Sequence, residues 1–181
     1  MTNIIVENIV ASAQISAGFN VKQLSEKILD FKYNPDEFDG VTMKLKNPDT
    51  AVLVFPNGKI VCTGAKTIDD ANKAIKVTMK KIKDAGITTR KQPKADIQNI
   101  VASINLRKEM DLSSISKGLL LQHVEYQPDQ FPGLIYKIEE YGATLLLFSS
   151  GKLVCTGTKK LEDVTGAMDM MKEKLSSIGA L

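Results

Sequence analysis

Apolar positions along this chain switch between two periods, and the switches come in the same order twice. Residues 4–12 are mostly apolar and β-branched, which predicts a strand. Val21, Leu24, Ile28 and Leu29 follow helical spacing, so a helix is expected over 21–29. Residues 32–37 pass through Asn34-Pro35, an extended or turn signal. Residues 41–46 alternate apolar and polar, and Asn47-Pro48-Asp49 reads as a turn. Strands at 51–55 and 59–63 flank Pro56-Asn57-Gly58 and form a hairpin. A long amphipathic helix is expected over 67–84, with Ile68, Ala71, Ala74, Ile75, Met79 and Ile82 on one side. Thr67 is its N-cap, Asp69 and Asp70 suit its first turn, and Gly86 follows its end. Its solvent side carries Lys73, Lys76, Lys80, Lys81 and Lys83. The second half repeats this order and closes with a helix over about 161–177, followed by Gly179. Residues 87–95 read as the linker.

The residues repeat as well as the periods. Asn8-Ile-Val-Ala-Ser12 returns as Asn99-Ile-Val-Ala-Ser103, an offset of 91. Tyr33-Asn-Pro-Asp-Glu-Phe38-Asp-Gly40 returns as Tyr126-Gln-Pro-Asp-Gln-Phe131-Pro-Gly133, an offset of 93. Phe55-Pro-Asn-Gly-Lys-Ile-Val-Cys-Thr-Gly64 returns as Phe148-Ser-Ser-Gly-Lys-Leu-Val-Cys-Thr-Gly157 at the same offset. A two-residue insertion between Asp111 and Tyr126 accounts for the change. Two repeats, 1–90 and 91–181, are therefore expected as similar lobes of one intimate domain. Two units are too few for a solenoid.

The hairpins break a rule. An antiparallel sheet with helices on one face should alternate apolar and polar residues. Neither Ala51-Val-Leu-Val-Phe55 nor Leu145-Leu-Leu-Phe148 does so. If Val52, Val54, Ile60 and Cys62 face the helices, Leu53, Phe55, Val61 and Thr63 face the other way. Each half has too few helices to cover both faces. A second apolar surface follows, bearing Val10, Leu53, Phe55 and Val61 and their repeats Val101, Leu146, Phe148 and Val154. An apolar patch of that size marks an interaction site. The same parity places Asn8, Thr63, Asn99 and Thr156 on it, with Lys44, Lys59, Lys137 and Lys152 at its flanks.

Composition narrows the partner. The chain has 181 residues, 43% of them hydrophobic, which suits a globular core. No stretch reaches the roughly 18 apolar residues of a membrane span. The start, Met1-Thr-Asn-Ile, lacks a basic segment ahead of an apolar run, so no secretion signal is expected. The net charge of +3 resides in the first half: thirteen Lys and Arg against ten Asp and Glu up to residue 90, then eleven against eleven. Such mild basicity permits nucleic-acid binding without demonstrating it. Cys62 and Cys155 occupy equivalent repeat positions and read as small buried hydrophobes in a reducing compartment, neither a disulfide nor a zinc site. His123 stands alone and suits a surface role, and Gly151-Lys152 lacks the upstream glycine of a phosphate-binding loop. Met168, Met170 and Met171 read as helix packing. No acid, base or thiol cluster suggests an enzyme, a cofactor, a metal or a small-molecule substrate. An apolar floor with a few amides and hydroxyls and a cationic rim fits the minor groove of DNA. At A·T pairs that groove offers acceptors, whereas guanine adds a bulky amino donor, and Lys neutralises phosphate. A second reading is an interaction scaffold that dimerises through the same face.

These motifs, spanning residues 4 to 179, resemble the TATA-binding protein family of archaea and eukaryotes: Gln98-Asn-Ile-Val101, Tyr126 through Lys137, Phe148-Ser-Ser-Gly-Lys152, Val154-Cys-Thr-Gly157 and their first-half partners. The resemblance implies an α+β fold, two pseudo-symmetric repeats forming a saddle. Its curved ten-stranded antiparallel sheet would carry helices on the convex side and the minor groove beneath. By the resemblance, Phe38 with Phe55 and Phe131 with Phe148 are base-step wedges. Asn8, Asn99, Thr63 and Thr156 are central hydrogen-bonding groups, and Val10, Val61, Val101, Val154, Leu53 and Leu146 are apolar groove contacts. Lys44, Lys59, Lys137, Lys152, Asn57 and Ser150 are backbone contacts. Gln127 and Asp129 lie in the loop expected to meet transcription factor B, and RNA polymerase in the pre-initiation complex is a further partner. The implied activity is promoter recognition in transcription initiation, not catalysis. The implied place is the cytoplasm, on the nucleoid, for an archaeal chain and the nucleus for a eukaryotic one. The short form favours an archaeal source. Asp39 stands where the second repeat has Pro132, and Pro56, Asn57 and Gln127 also depart from the family pattern.

Overall fold

The computed structural model describes residues 3–90, 93, 95–119 and 123–181. Residues 91, 92 and 94 of the expected linker, and 120–122 within the stretch of the expected insertion, lie outside the described residues. The elements run β1 (Ile5–Gln14), α1 (Val21–Lys27), β2 (Lys32–Tyr33), β3 (Val41–Lys46), β4 (Asp49–Val54), β5 (Lys59–Ala65) and α2 (Ile68–Asp84). The same order returns as β6 (Asp96–Asn105), α3 (Leu112–Leu119), β7 (Val124–Glu125), β8 (Gly133–Ile138), β9 (Ala143–Phe148), β10 (Lys152–Thr158) and α4 (Leu161–Ser177), with a 3-10 turn at Glu139–Tyr141. Hydrogen bonding orders ten strands as β2-β3-β4-β5-β1-β6-β10-β9-β8-β7. The registered pairs are antiparallel, giving the ten-stranded antiparallel sheet of an α+β fold. The chain divides into two compact units, residues 8–98 and residues 99–181 together with Glu7 and the residues before it.

In the first unit α2 lies against β4 and β5. Thr67 caps it, accepting a hydrogen bond from Asp70 N–H at 3.0 Å, and Asp69 and Asp70 complement the positive end of the helix dipole. Its buried stripe of Ala71, Ala74, Ile75, Met79 and Ile82 meets Val52, Val54, Ile60 and Cys62, all fully buried. Each such aliphatic side chain contributes about 1.5–3 kcal/mol on burial. The stripe stops short of Ile68, which is 39% exposed at the first turn. Helix α1 begins at Asn20, whose side chain accepts from Gln23 N–H, and ends before Ile28, already extended at ψ 99°. Leu29 therefore leaves the helical face expected for it and is 94% exposed, while Val21, Leu24 and Ile28 remain buried.

The second unit repeats the arrangement. Helix α4 covers β9 and β10 with Val164, Ala167, Met168, Met171 and Leu175 over Leu145, Leu147, Leu153 and Cys155. Met170 is only half-buried at the margin of that packing. Lys160 occupies the cap position that Thr67 holds in the first unit, and it supplies no side-chain cap. Both cysteines are free and buried. Desolvation raises the Cys62 thiol, partly offset by its hydrogen bond with Thr50, and raises Cys155 to about 11. Neither forms appreciable thiolate near neutral pH.

Candidate nucleic-acid interface

The face of each unit turned away from its helices follows from register. In the first unit Thr42 pairs with Leu53, Leu53 with Val61, and Val61 with Ser12. The next row runs Lys44, Ala51, Thr63. In the second unit the corresponding rows are Ile135, Leu146, Val154, Ser103 and Lys137, Thr144, Thr156. The expected apolar residues Val10, Leu53, Phe55 and Val61, and Val101, Leu146, Phe148 and Val154, are all half-buried rather than sealed beneath helices. Strand alternation with a fully buried set on the opposite face leaves them no other direction. The sequence pattern missed Ser12, Ser103, Thr42, Ile135, Ala51 and Thr144. Strand alternation puts them on the same face as the expected residues two positions away, and the cross-strand register shows which of those they stand beside.

Asn8 and Asn99 hold their amides in one orientation. Gly64 N–H donates to Asn8 Oδ1 at 2.6 Å, and Gly157 N–H donates to Asn99 Oδ1 at 2.8 Å. A backbone N–H can only donate, so the atom it meets must be the amide oxygen. The amide nitrogens then reach Thr63 Oγ1 at 3.1 Å and Thr156 Oγ1 at 3.2 Å. One amide hydrogen on each Asn remains for an external acceptor. Glycine permits the geometry: Gly64 and Gly157 have φ of 92° and 96°, the left-handed region that side chains disfavour. The strand register also slips here, between Ile9 and Ala11 opposite β5 and between Cys155 and Thr158 opposite β6. A matched irregularity of this kind re-aims side chains beside functional surfaces.

At the far end of each face two phenylalanines meet. Phe38 and Phe55 lie edge to face with centroids 5.0 Å apart at 81°, and Phe131 and Phe148 at 5.8 Å and 64°. The backbone turn that delivers the first ring of each pair is the same in both units. Asn34 C=O accepts from Phe38 N–H at 3.0 Å, and Gln127 C=O accepts from Phe131 N–H at 3.0 Å. Gly133 is crowded: a Cβ there would stand 2.8 Å from Phe131 Cε1 and 3.2 Å from Phe148 Cε1. Gly40 is crowded likewise by Phe38 and by Val54 C=O. The repeated Phe-x-Gly spacing was the available signal for these two positioning residues.

Lys44, Lys59, Lys137 and Lys152 are exposed. Lys137 Nζ stands 3.5 Å from Glu125 Oε1, an exposed pair of small energetic weight. Asn57 and Ser150 are also exposed. Asn57 Oδ1 accepts from Lys59 N–H at 3.0 Å, so this side chain shapes the hairpin turn. Gln127 and Asp129 project from the turn before Phe131, both exposed. Among the described residues no group of three or more His, Cys, Asp and Glu could hold a metal ion, and no helix is long and apolar enough to cross a membrane. His123 faces Glu139 at 3.8 Å, with its ring half exposed.

The fold and these faces define a class: a tandem-repeat α+β protein whose sheet keeps one apolar, amide-studded face clear of its helices. Comparison with known proteins identifies that class. The model of the family described as transcription factor TFIID, or TATA-binding protein, matches residues 3–85 and 94–178. The chain is 41% identical over 176 residues to the TATA-box-binding protein of Archaeoglobus fulgidus, covering 97% of this chain and 96% of the relative. It is 39% identical to TATA-box-binding protein B of Halobacterium salinarum, covering 97% and 95%. The solved structure of Methanococcus jannaschii TBP superposes with a TM-score of 0.86 at 36% identity, covering 97% of this chain and 99% of that one. The chain belongs to the TATA-binding protein family, a family of transcription factors rather than enzymes.

Proposed function

We propose that this chain is a promoter-recognition factor that binds TATA-like duplex DNA through the minor groove and bends it, its repeats 1–90 and 91–181 acting as two half-sites. The observation that carries the reading is the half-buried apolar face of each unit, joined to an oriented amide whose second hydrogen has no partner among the described residues. Asn8 and Asn99, with Thr63 and Thr156, donate to adenine N3 and thymine O2. Val10, Leu53 and Val61, with Val101, Leu146 and Val154, press on groove edges that lack the guanine amino group. Lys44, Lys59, Lys137 and Lys152, with Asn57 and Ser150, contact the backbone. Phe38 with Phe55 and Phe131 with Phe148 wedge between base steps.

The energetics are balanced. Unstacking costs a few kcal/mol per step, a magnitude known for groove-wedging proteins, this family among them. Smooth bending adds about 1–6 kcal/mol. Four half-buried rings recover roughly 1 kcal/mol or more each, at the low end of full burial. The groove contacts must supply the rest. Deformable TA steps lower the cost, so A·T-rich sites win on shape as well as on base edges. The turn carrying Gln127 and Asp129 offers a polar surface to transcription factor B, through which RNA polymerase is recruited.

An energy-transfer assay on an end-labelled A·T-rich duplex tests the reading. The expected result is a shortened end-to-end distance, with affinity that falls as salt rises. A salt-insensitive dimer that ignores the duplex would replace this reading with the self-associating scaffold.

A further inference from the structure

The two half-faces are not copies. They share Leu53 and Val61 with Leu146 and Val154 in one cross-strand row, but the row's outer position is Thr42 in one unit and Ile135 in the other. Both side chains are half-buried on the open face. The Thr42 hydroxyl has no hydrogen-bond partner among the described residues, whereas Ile135 has no polar atom to offer. We propose that Thr42 makes the first half-site tolerant of a G·C pair at a position where Ile135 makes the second half-site exclude it. This inference rests on the minor-groove reading above.

The chemistry is specific to that groove. Replacing A·T by G·C leaves acceptors in place and adds one projecting amino donor. A threonine hydroxyl can accept from that donor, and when A·T is present it can turn and donate instead. The sec-butyl group of Ile can do neither. It fills the space into which the amino group projects and leaves that donor buried without a partner, a penalty of the kind that drives strong discrimination. The neighbouring row also differs, with Ala51 opposite Thr144 in the comparison. There the smaller residue is the apolar one, so neither unit excludes the amino group by bulk. The polarity therefore comes from the row containing Ile135.

The test does not require knowing which way round the protein binds. Three duplexes are compared by competitive titration: an all-A·T site, one with G·C in a single half, and one with G·C at mirror-related positions in both halves. The mirror position is walked outward from the centre. At one position the wild type should lose less than threefold on the first replacement, because it can turn its Thr42 half to the G·C. It should lose at least tenfold on the second. Thr42→Ile should make the first replacement cost tenfold. Ile135→Thr should make the second cost less than threefold. Thermal melting of each variant separates these effects from misfolding. Equal costs for the first and second replacement at every mirror position in the wild type overturn the inference while leaving the minor-groove reading intact. So does a Thr42→Ile variant with unchanged tolerance. Failure of the wild type to bind the all-A·T duplex would instead defeat the minor-groove reading itself.

Discussion

Asn99→Asp separates folding from recognition more sharply than any truncation of the face. The wild-type Asn99 Oδ1 accepts from Gly157 N–H at 2.8 Å, and its amide nitrogen donates to Thr156 Oγ1 at 3.2 Å. Aspartate keeps an acceptor for Gly157, and Thr156 can reverse its hydroxyl to donate. The internal network is therefore retained, and stability should change by less than about 1 kcal/mol. The second amide donor is lost, and on the minor-groove reading a negative charge replaces it where groove acceptors should lie. Leaving a buried groove acceptor without that donor costs about 1–3 kcal/mol, and a buried charge facing acceptors adds to that. At 1.4 kcal/mol per factor of ten, affinity for an A·T-rich duplex should fall by about ten- to a hundredfold. Fluorescence anisotropy with a labelled duplex, run beside a thermal melt, reads both quantities. A variant that binds as wild type would refute the assignment of Asn99 as a donor. Affinity lost only in proportion to lost stability would refute it equally.

Three other outcomes follow from the same geometry. Phe148→Ala removes one ring of the 5.8 Å pair, worth about 0.5–1.5 kcal/mol beyond its half-burial; the energy-transfer bend should fall markedly while the melting midpoint shifts by only a few degrees. Thr158 Oγ1 is buried with no hydrogen-bond partner among the described residues, so the isosteric Thr158→Val should stabilise by roughly 1 kcal/mol in urea denaturation. The Cys155 pKa is raised from 9.0 to about 11, so its stability contribution is complete below pH 9 and is lost as pH rises towards 11; the alkaline stability profile of the wild type should fall more steeply than that of Cys155→Val.

The sequence exposed the second apolar face because 51–55 and 145–148 fail to alternate, a failure with one physical meaning in a sheet of this kind. Helix α2 was equally plain, since its cap, its acidic first turn and its stripe agree over Ile68–Asp84. Leu29 misled because helical spacing persists arithmetically past the point where Ile28 turns extended. The rows containing Thr42 and Ile135 were hidden for a different reason. Which residue stands beside which is decided by hydrogen bonds between strands distant in the chain, and periodicity within one strand carries no record of it. The fixed orientation of Asn8 and Asn99 was hidden too, because it depends on glycine N–H groups 56 and 58 residues away.

The outermost strands β2 and β7 are only two residues long. Brevity there denies a neighbouring molecule a ladder on which to continue pairing. If that uncovered apolar face is the one that meets DNA, these short edges confine the protein's stickiness to it. When stored concentrated without nucleic acid, its molecules should cling sheet against sheet in a form that dilution reverses, rather than polymerise end to end into fibres.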